Sequence, residues 1–87
     1  MSLEAKNFIQ SCVGKNFDAQ EIWINQRNNF WAVDIQDNQV FITSGLYLNG
    51  DIISETICYE TRQGYNFVQA QVERKINEGY FCFAMLI

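Results

Sequence analysis

The chain has no histidine and no proline, only five glycines, and few cations: six Lys plus Arg against ten Asp plus Glu, for a net charge of -4. Without histidine there is no usual general base at neutral pH, no commonest zinc ligand and no Ser-His or Cys-His nucleophile pair. A noncatalytic protein with no metal and no cofactor is therefore expected. The acidic balance argues against generic affinity for nucleic acid or an anionic membrane, because neutralising phosphates takes clustered cations. With no proline and no Ser- or Gly-rich tract there is no linker signal, so the 87 residues read as one domain. The three cysteines, Cys12, Cys58 and Cys82, form no C-x-x-C pair. They are expected to be reduced thiols, with Cys58 and Cys82 shielded in apolar strands. The longest apolar run, Phe81 to Ile87, is too short to span a bilayer, and Met1 to Lys6 lacks the basic start of a secretory signal. A cytoplasmic location and no membrane contact are the expectation.

What is present is apolar and aromatic. Hydrophobic residues make up 48% of the chain and aromatics 15%, enough for a compact core without disulfide staples. Residues 1–18 are expected to form a short helix or arm, from Leu3, Phe8, Ile9 and Cys12 at loosely helical spacing. Over 20–60 the period becomes two. Ile22 and Ile24 alternate with polar residues, Gln26 to Asn29 marks a turn, and Trp31, Val33 and Ile35 share one face of the next strand. A two-residue turn at Asp37-Asn38 matches Ile35 with Val40, Val33 with Ile42 and Trp31 with Ser44. Asn49-Gly50 is the dipeptide best suited to a second hairpin, pairing Leu46 with Ile53 and Ile42 with Ile57. That register also sets Ser44 against Glu55 on the nominal core face, a conflict for which a bulge near Gly45 or a looser loop is expected.

Over 64–78 the period is helical, with Tyr65, Val68, Val72 and Ile76 on one stripe, Arg74 and Lys75 near the end, and Gly79 as the C-terminal cap. Residues 80–87 are apolar on both faces, as in a strand buried on both sides or one that contacts another subunit. The expected fold is α+β: an antiparallel meander of four to five strands packed by one helix in the C-terminal half, with a short N-terminal helix.

The opening strand Asn29-Phe30-Trp31-Ala32-Val33 and the helix close Lys75-Ile76-Asn77-Glu78-Gly79-Tyr80 resemble a WGR domain over about Glu21 to Tyr80. The family implies an aromatic opening strand, two hairpins and an amphipathic helix closing on Lys, Gly and Tyr. At the Trp-Gly-Arg signature this chain has Ser44-Gly45-Leu46, and a further Gly of that loop corresponds to Gly50. In poly(ADP-ribose) polymerases the module helps to contact nucleic-acid ends through the aromatic and the guanidinium. Both are replaced here, so that activity is not carried over.

Three functions are weighed. The first is a small noncatalytic WGR-like module that acts through protein contact or self-association, with Phe81, Phe83, Met85 and Ile87 as interaction residues, since an apolar edge strand extends a sheet into a partner. The second is a weak nucleic-acid-binding module using Trp23 and Trp31 for stacking and Arg27, Arg62 and Lys75 for phosphate. A third reading, a small enzyme or enzyme subunit in which Asp34 and Glu55 face each other as paired carboxylates for acid-base work, requires a concave pocket around Asp34 or Glu55.

Overall fold

A computed structural model describes residues 1–85, so the expectation for Ile87 lies outside the described residues. Seven elements follow in order: α1 (Leu3–Cys12), β1 (Glu21–Ile24), β2 (Asn29–Gln36), β3 (Gln39–Leu48), β4 (Asp51–Glu60), α2 (Gly64–Asn77) and β5 (Phe81–Met85). The strands form one five-stranded antiparallel sheet in the order β4-β3-β2-β1-β5, an α+β fold.

Helix α1 starts where the Ser2 hydroxyl accepts a hydrogen bond from the Ala5 amide at 3.2 Å, satisfying a first-turn donor that the helix itself leaves unpaired. Its buried stripe is Ala5, Ile9 and Cys12, while Leu3 is exposed. That stripe packs with Phe17, Ile22, Ile24, Phe30, Ala32 and Tyr47 on one face of the sheet. The chain returns to the sheet through Gly14, at φ +82°, whose amide donates to the Phe17 carbonyl at 2.8 Å. The Phe17 ring then stacks on Phe30 with centroids 5.5 Å apart.

Both hairpin registers follow the sequence pattern. Val33 faces Ile42, Ile35 faces Val40, Leu46 faces Ile53 and Ile42 faces Ile57. Asn49 and Gly50 sit at φ +53° and +82°, as a turn whose twist matches that of its strands requires. At the β1–β2 turn the Asn25 side-chain oxygen accepts from the amides of Arg27 and Asn29, at 2.9 and 3.0 Å.

The expected bulge near Gly45 is absent. The β3–β4 ladder runs unbroken with Ser44 opposite Glu55, and the irregularity falls between β1 and β5 at Ile22/Trp23. No conflict needs relief, because β4 is an edge strand beyond the cover of α2 and Glu55 faces solvent.

Helix α2 lies on the opposite face from α1. Val68 and Val72 pack with Trp31, Val33, Val40 and Ile42, and Gly64 brings the backbone close to Ile35 and Val40. Phe67 turns toward β4, its ring 4.9 Å from that of Tyr59. The buried sector is thus rotated toward β4 by roughly 70° from the stripe read in the sequence. Tyr65 and Ile76 are left 76% and 54% exposed in consequence.

The helix closes in a Schellman arrangement. The Tyr80 amide donates to the Lys75 carbonyl at 2.9 Å and the Gly79 amide to the Ile76 carbonyl at 3.0 Å, with Gly79 at φ +94°. This reversal sends β5 back beside β1 at the second edge of the sheet. Residues 81–85 are therefore not a strand buried on both sides. Phe83 is half-buried against the α1 core, whereas Phe81 and Met85 are exposed.

Gly45 is required for space, since its backbone conformation is open to any residue. A β-carbon there would meet the Ile53 carbonyl oxygen, Ser54 Cβ at 2.8 Å and Phe30 Cε1 at 2.9 Å. Urea unfolding should find Gly45→Ala destabilised by about 1–3 kcal/mol through overpacking. Gly50→Ala, which has open space around it, should lose only about 1 kcal/mol through its positive φ.

Candidate interaction surface

The open five-stranded sheet has two edges, β4 and β5, and among the described residues no further strand pairs with either. β5 offers the shorter edge. Phe81 and Met85 stand exposed at its two ends, and Cys82 lies opposite Trp23 on β1. Trp23 donates from Nε1 to Glu21 Oε1 at 2.9 Å and borders a small 200 Å³ cavity that Tyr65, Val72 and Met85 also line. Of the interaction residues read from the sequence, Phe81 and Met85 are thus at the surface and Phe83 is mainly part of the core.

β4 offers the longer edge, ten residues from Asp51 to Glu60, nearly all exposed. On the α2 face of the sheet it carries Ile53, Ile57 and Tyr59, exposed by 65%, 45% and 37%. The sequence reading set Ile53 and Ile57 on a covered core face and gave Tyr59 no role. The signal that could have found them is Glu55 between them, since a carboxylate is not left unpaired under a helix.

The residues weighed for nucleic-acid contact are dispersed. Trp31 is 3% exposed beneath α2 and presents no ring to a base. Lys75 lies with its ammonium 6.0 Å from the Trp31 ring centroid and 5.0 Å from that of Tyr80, and it pairs with Glu78 at 3.4 Å. Arg27 borders a 640 Å³ groove with Asn29 and Tyr80. Lys75 and Glu55 line an adjoining groove of 540 Å³. Arg62 is at the other end of the sheet, beside Gln36, Asp37 and Glu60. The intervening length of β2 separates it from Arg27 and Lys75 by about 23 Å.

Asp34 and Glu55 are not a pair. Asp34 is buried on the α1 face, where its Oδ2 accepts from Gln36 Nε2 at 2.8 Å, and Glu55 is on the α2 face. The cysteines also differ from expectation, since Cys12 is buried but Cys58 and Cys82 are exposed, each on an edge strand. Among the described residues no helix is long and apolar enough to cross a membrane. No family model, curated protein or solved structure matches the chain.

Two titrations report on the packing of β5. Desolvation, with the Glu21 carboxylate adding to it, holds the Cys82 thiol above its ordinary 9.0, although part of the residue stays at the surface. Desolvation and then Glu78 hold the Tyr80 phenol above 10.0. Both folded values are raised, so the stability they contribute is complete below the unfolded values and is lost as pH rises through the folded ones. Unfolding free energy measured against pH should therefore decline above 9.0. Combining Cys82→Ser with Tyr80→Phe should make that decline shallower without abolishing it, since desolvation and then Glu4 also hold the Tyr47 phenol above 10.0.

Proposed function

We propose that this chain is a small noncatalytic WGR-like module that works by protein contact through the edges of its sheet. One observation carries the reading: large apolar side chains stand exposed along both unpaired edges, Ile53, Ile57 and Tyr59 on β4, Phe81 and Met85 on β5. An open edge supplies main-chain donors and acceptors, and its alternate side chains supply selectivity, which is the chemistry of strand addition. The WGR-like part is supported by contacts among the residues that carry the resemblance. Lys75, Trp31 and Tyr80 pack together, Gly79 makes the helix close possible, and Gly45 sits where no side chain fits. Ser44 and Leu46 bring neither an aromatic ring nor a guanidinium to the groove between β3 and α2.

The test uses the full chain as bait in its own cell extract with chemical cross-linking, beside a variant carrying Ile53→Lys, Ile57→Lys and Phe81→Lys. Cross-links to protein, including to further copies of the chain, should fall sharply in the lysine variant. An unchanged cross-link set would overturn the proposal. In parallel, labelled blunt duplex and single-stranded DNA at low salt should show no saturable binding. Binding that weakens steeply as salt rises would favour the nucleic-acid alternative instead.

A further inference from the structure

The outer edge of β4 has a defined hydrogen-bonding face. In a two-residue hairpin the pair that flanks the turn, here Leu48 and Asp51, exchanges both main-chain bonds, and such pairs recur at every second residue. The Thr61 amide donates to the Asn38 carbonyl at 2.9 Å, continuing the same series beyond the strand. The odd-numbered residues of β4 are therefore bonded to β3. The N–H and C=O groups of Ile52, Ser54, Thr56, Cys58 and Glu60 point outward from the sheet.

Proteins commonly guard such an edge with lysine, proline, a bulge or a covering element. β4 carries no cation, no proline and no bulge; its charges are the carboxylates Asp51, Glu55 and Glu60, of which only Glu55 stands within the apolar stripe. β5 is half as long and is broken by the irregularity opposite Ile22/Trp23, which makes it the poorer template.

We infer that β4 pairs antiparallel with β4 of a second copy of this chain, joining the two sheets into one across a two-fold axis through Thr56. The inference rests on the protein-contact reading above and names the partner. A two-fold axis normal to the sheet keeps each face on its own side, so even residues must oppose even and odd oppose odd. Two such registers overlap nearly the whole strand. The one centred on Glu55 sets that carboxylate directly against its own copy, which is repulsive. The one centred on Thr56 sets Glu55 against the partner's Ile57 and Ile53 against the partner's Tyr59, and moves the two Glu55 residues to a diagonal about 7–8 Å apart. It also brings each Asp51 to the strand end that carries the partner's Arg62, a complementary contact made twice. Along the outward residues this register forms about ten main-chain hydrogen bonds. It joins the exposed Ile53, Ile57 and Tyr59 of both copies into one stripe. A single strand thus pairs its own unpaired main-chain groups and joins its own apolar face.

Sedimentation of the full chain over a wide concentration range should show a monomer-dimer equilibrium. Thr56→Pro removes an outward N–H and spares the main-chain bonds to β3, though it loses the 2.7 Å hydrogen bond between the Thr56 and Thr43 hydroxyls. It should weaken the dimer roughly tenfold or more. Thr56→Val, which loses that hydroxyl but keeps the N–H, is the control and should leave the dimer intact. In a Cys58→Ser, Cys82→Ser background, Thr56→Cys should form a disulfide-linked dimer on mild oxidation, because the symmetric pair sits about 5.5 Å apart at Cα. Ser54→Cys in that background lies opposite residue 58 and should not. Circular dichroism checks that each variant folds, and the cysteine pair decides the matter if the proline variant does not. A strict monomer, or a dimer that Thr56→Pro leaves intact and Thr56→Cys cannot link, overturns the inference. If a strict monomer still makes edge-dependent cross-links to other proteins, the protein-contact reading survives and self-pairing alone has failed.

Discussion

Strand β2 is buried on both faces, and the arrangement of every other element follows from having to keep it so. Phe30 and Ala32 face α1 while Trp31 and Val33 face α2, and all four are buried. Side chains of alternate parity cannot share a single core, so a strand of this kind needs cover from both sides and a bonded neighbour on each edge. Burial of each large apolar side chain contributes roughly 1.5–3 kcal/mol. The two helices therefore settle on opposite faces, and β1 and β3 flank β2.

The same requirement uses up the available cover. Two helices, of 10 and 14 residues, shield the middle of a five-stranded sheet and leave its margins bare. The margins then differ by length. β5 is short and irregularly paired, and Phe83 ties it to the α1 core. β4 is long and regular; Ile52 packs against the α1 core, but on the α2 face its apolar residues stand exposed, with Phe67 reaching only Tyr59. An open edge with that composition is a functional surface or an aggregation hazard, and strand pairing resolves both.

The close of α2 links this surface to the core. Lys75 belongs to the buried sector of the helix. Its stem crosses the Trp31 ring and its ammonium reaches Tyr80 and Glu78, a case of a long cation covering apolar surface while its charge stays near water. Gly79 then lets the chain reverse at a φ that other residues adopt only at a cost. The positions that carry the family resemblance thus have a packing explanation that does not depend on any ligand.

Periodicity and turn chemistry made the four strands of the meander, the registers of the two hairpins, the extent of α2 and its glycine cap legible from the sequence. These are local or near-neighbour properties: an Asn-Gly turn closes on residues a few positions away, and alternation is set by the pleat. The exposed stripe of β4, the edge position of β5 and the rotation of α2 were not legible in the same way. Whether Ile53, Ile57 and Tyr59 form core or surface depends on how far α2 reaches across the sheet. Whether Phe81 to Met85 is central or peripheral depends on which strand it joins after the reversal at Gly79. The sequence by itself determined which residues alternate, where the chain turns and where α2 starts and stops. Tertiary structure alone decided which apolar faces are covered, because two helices cannot cover five strands and long-range packing chooses which margins go without.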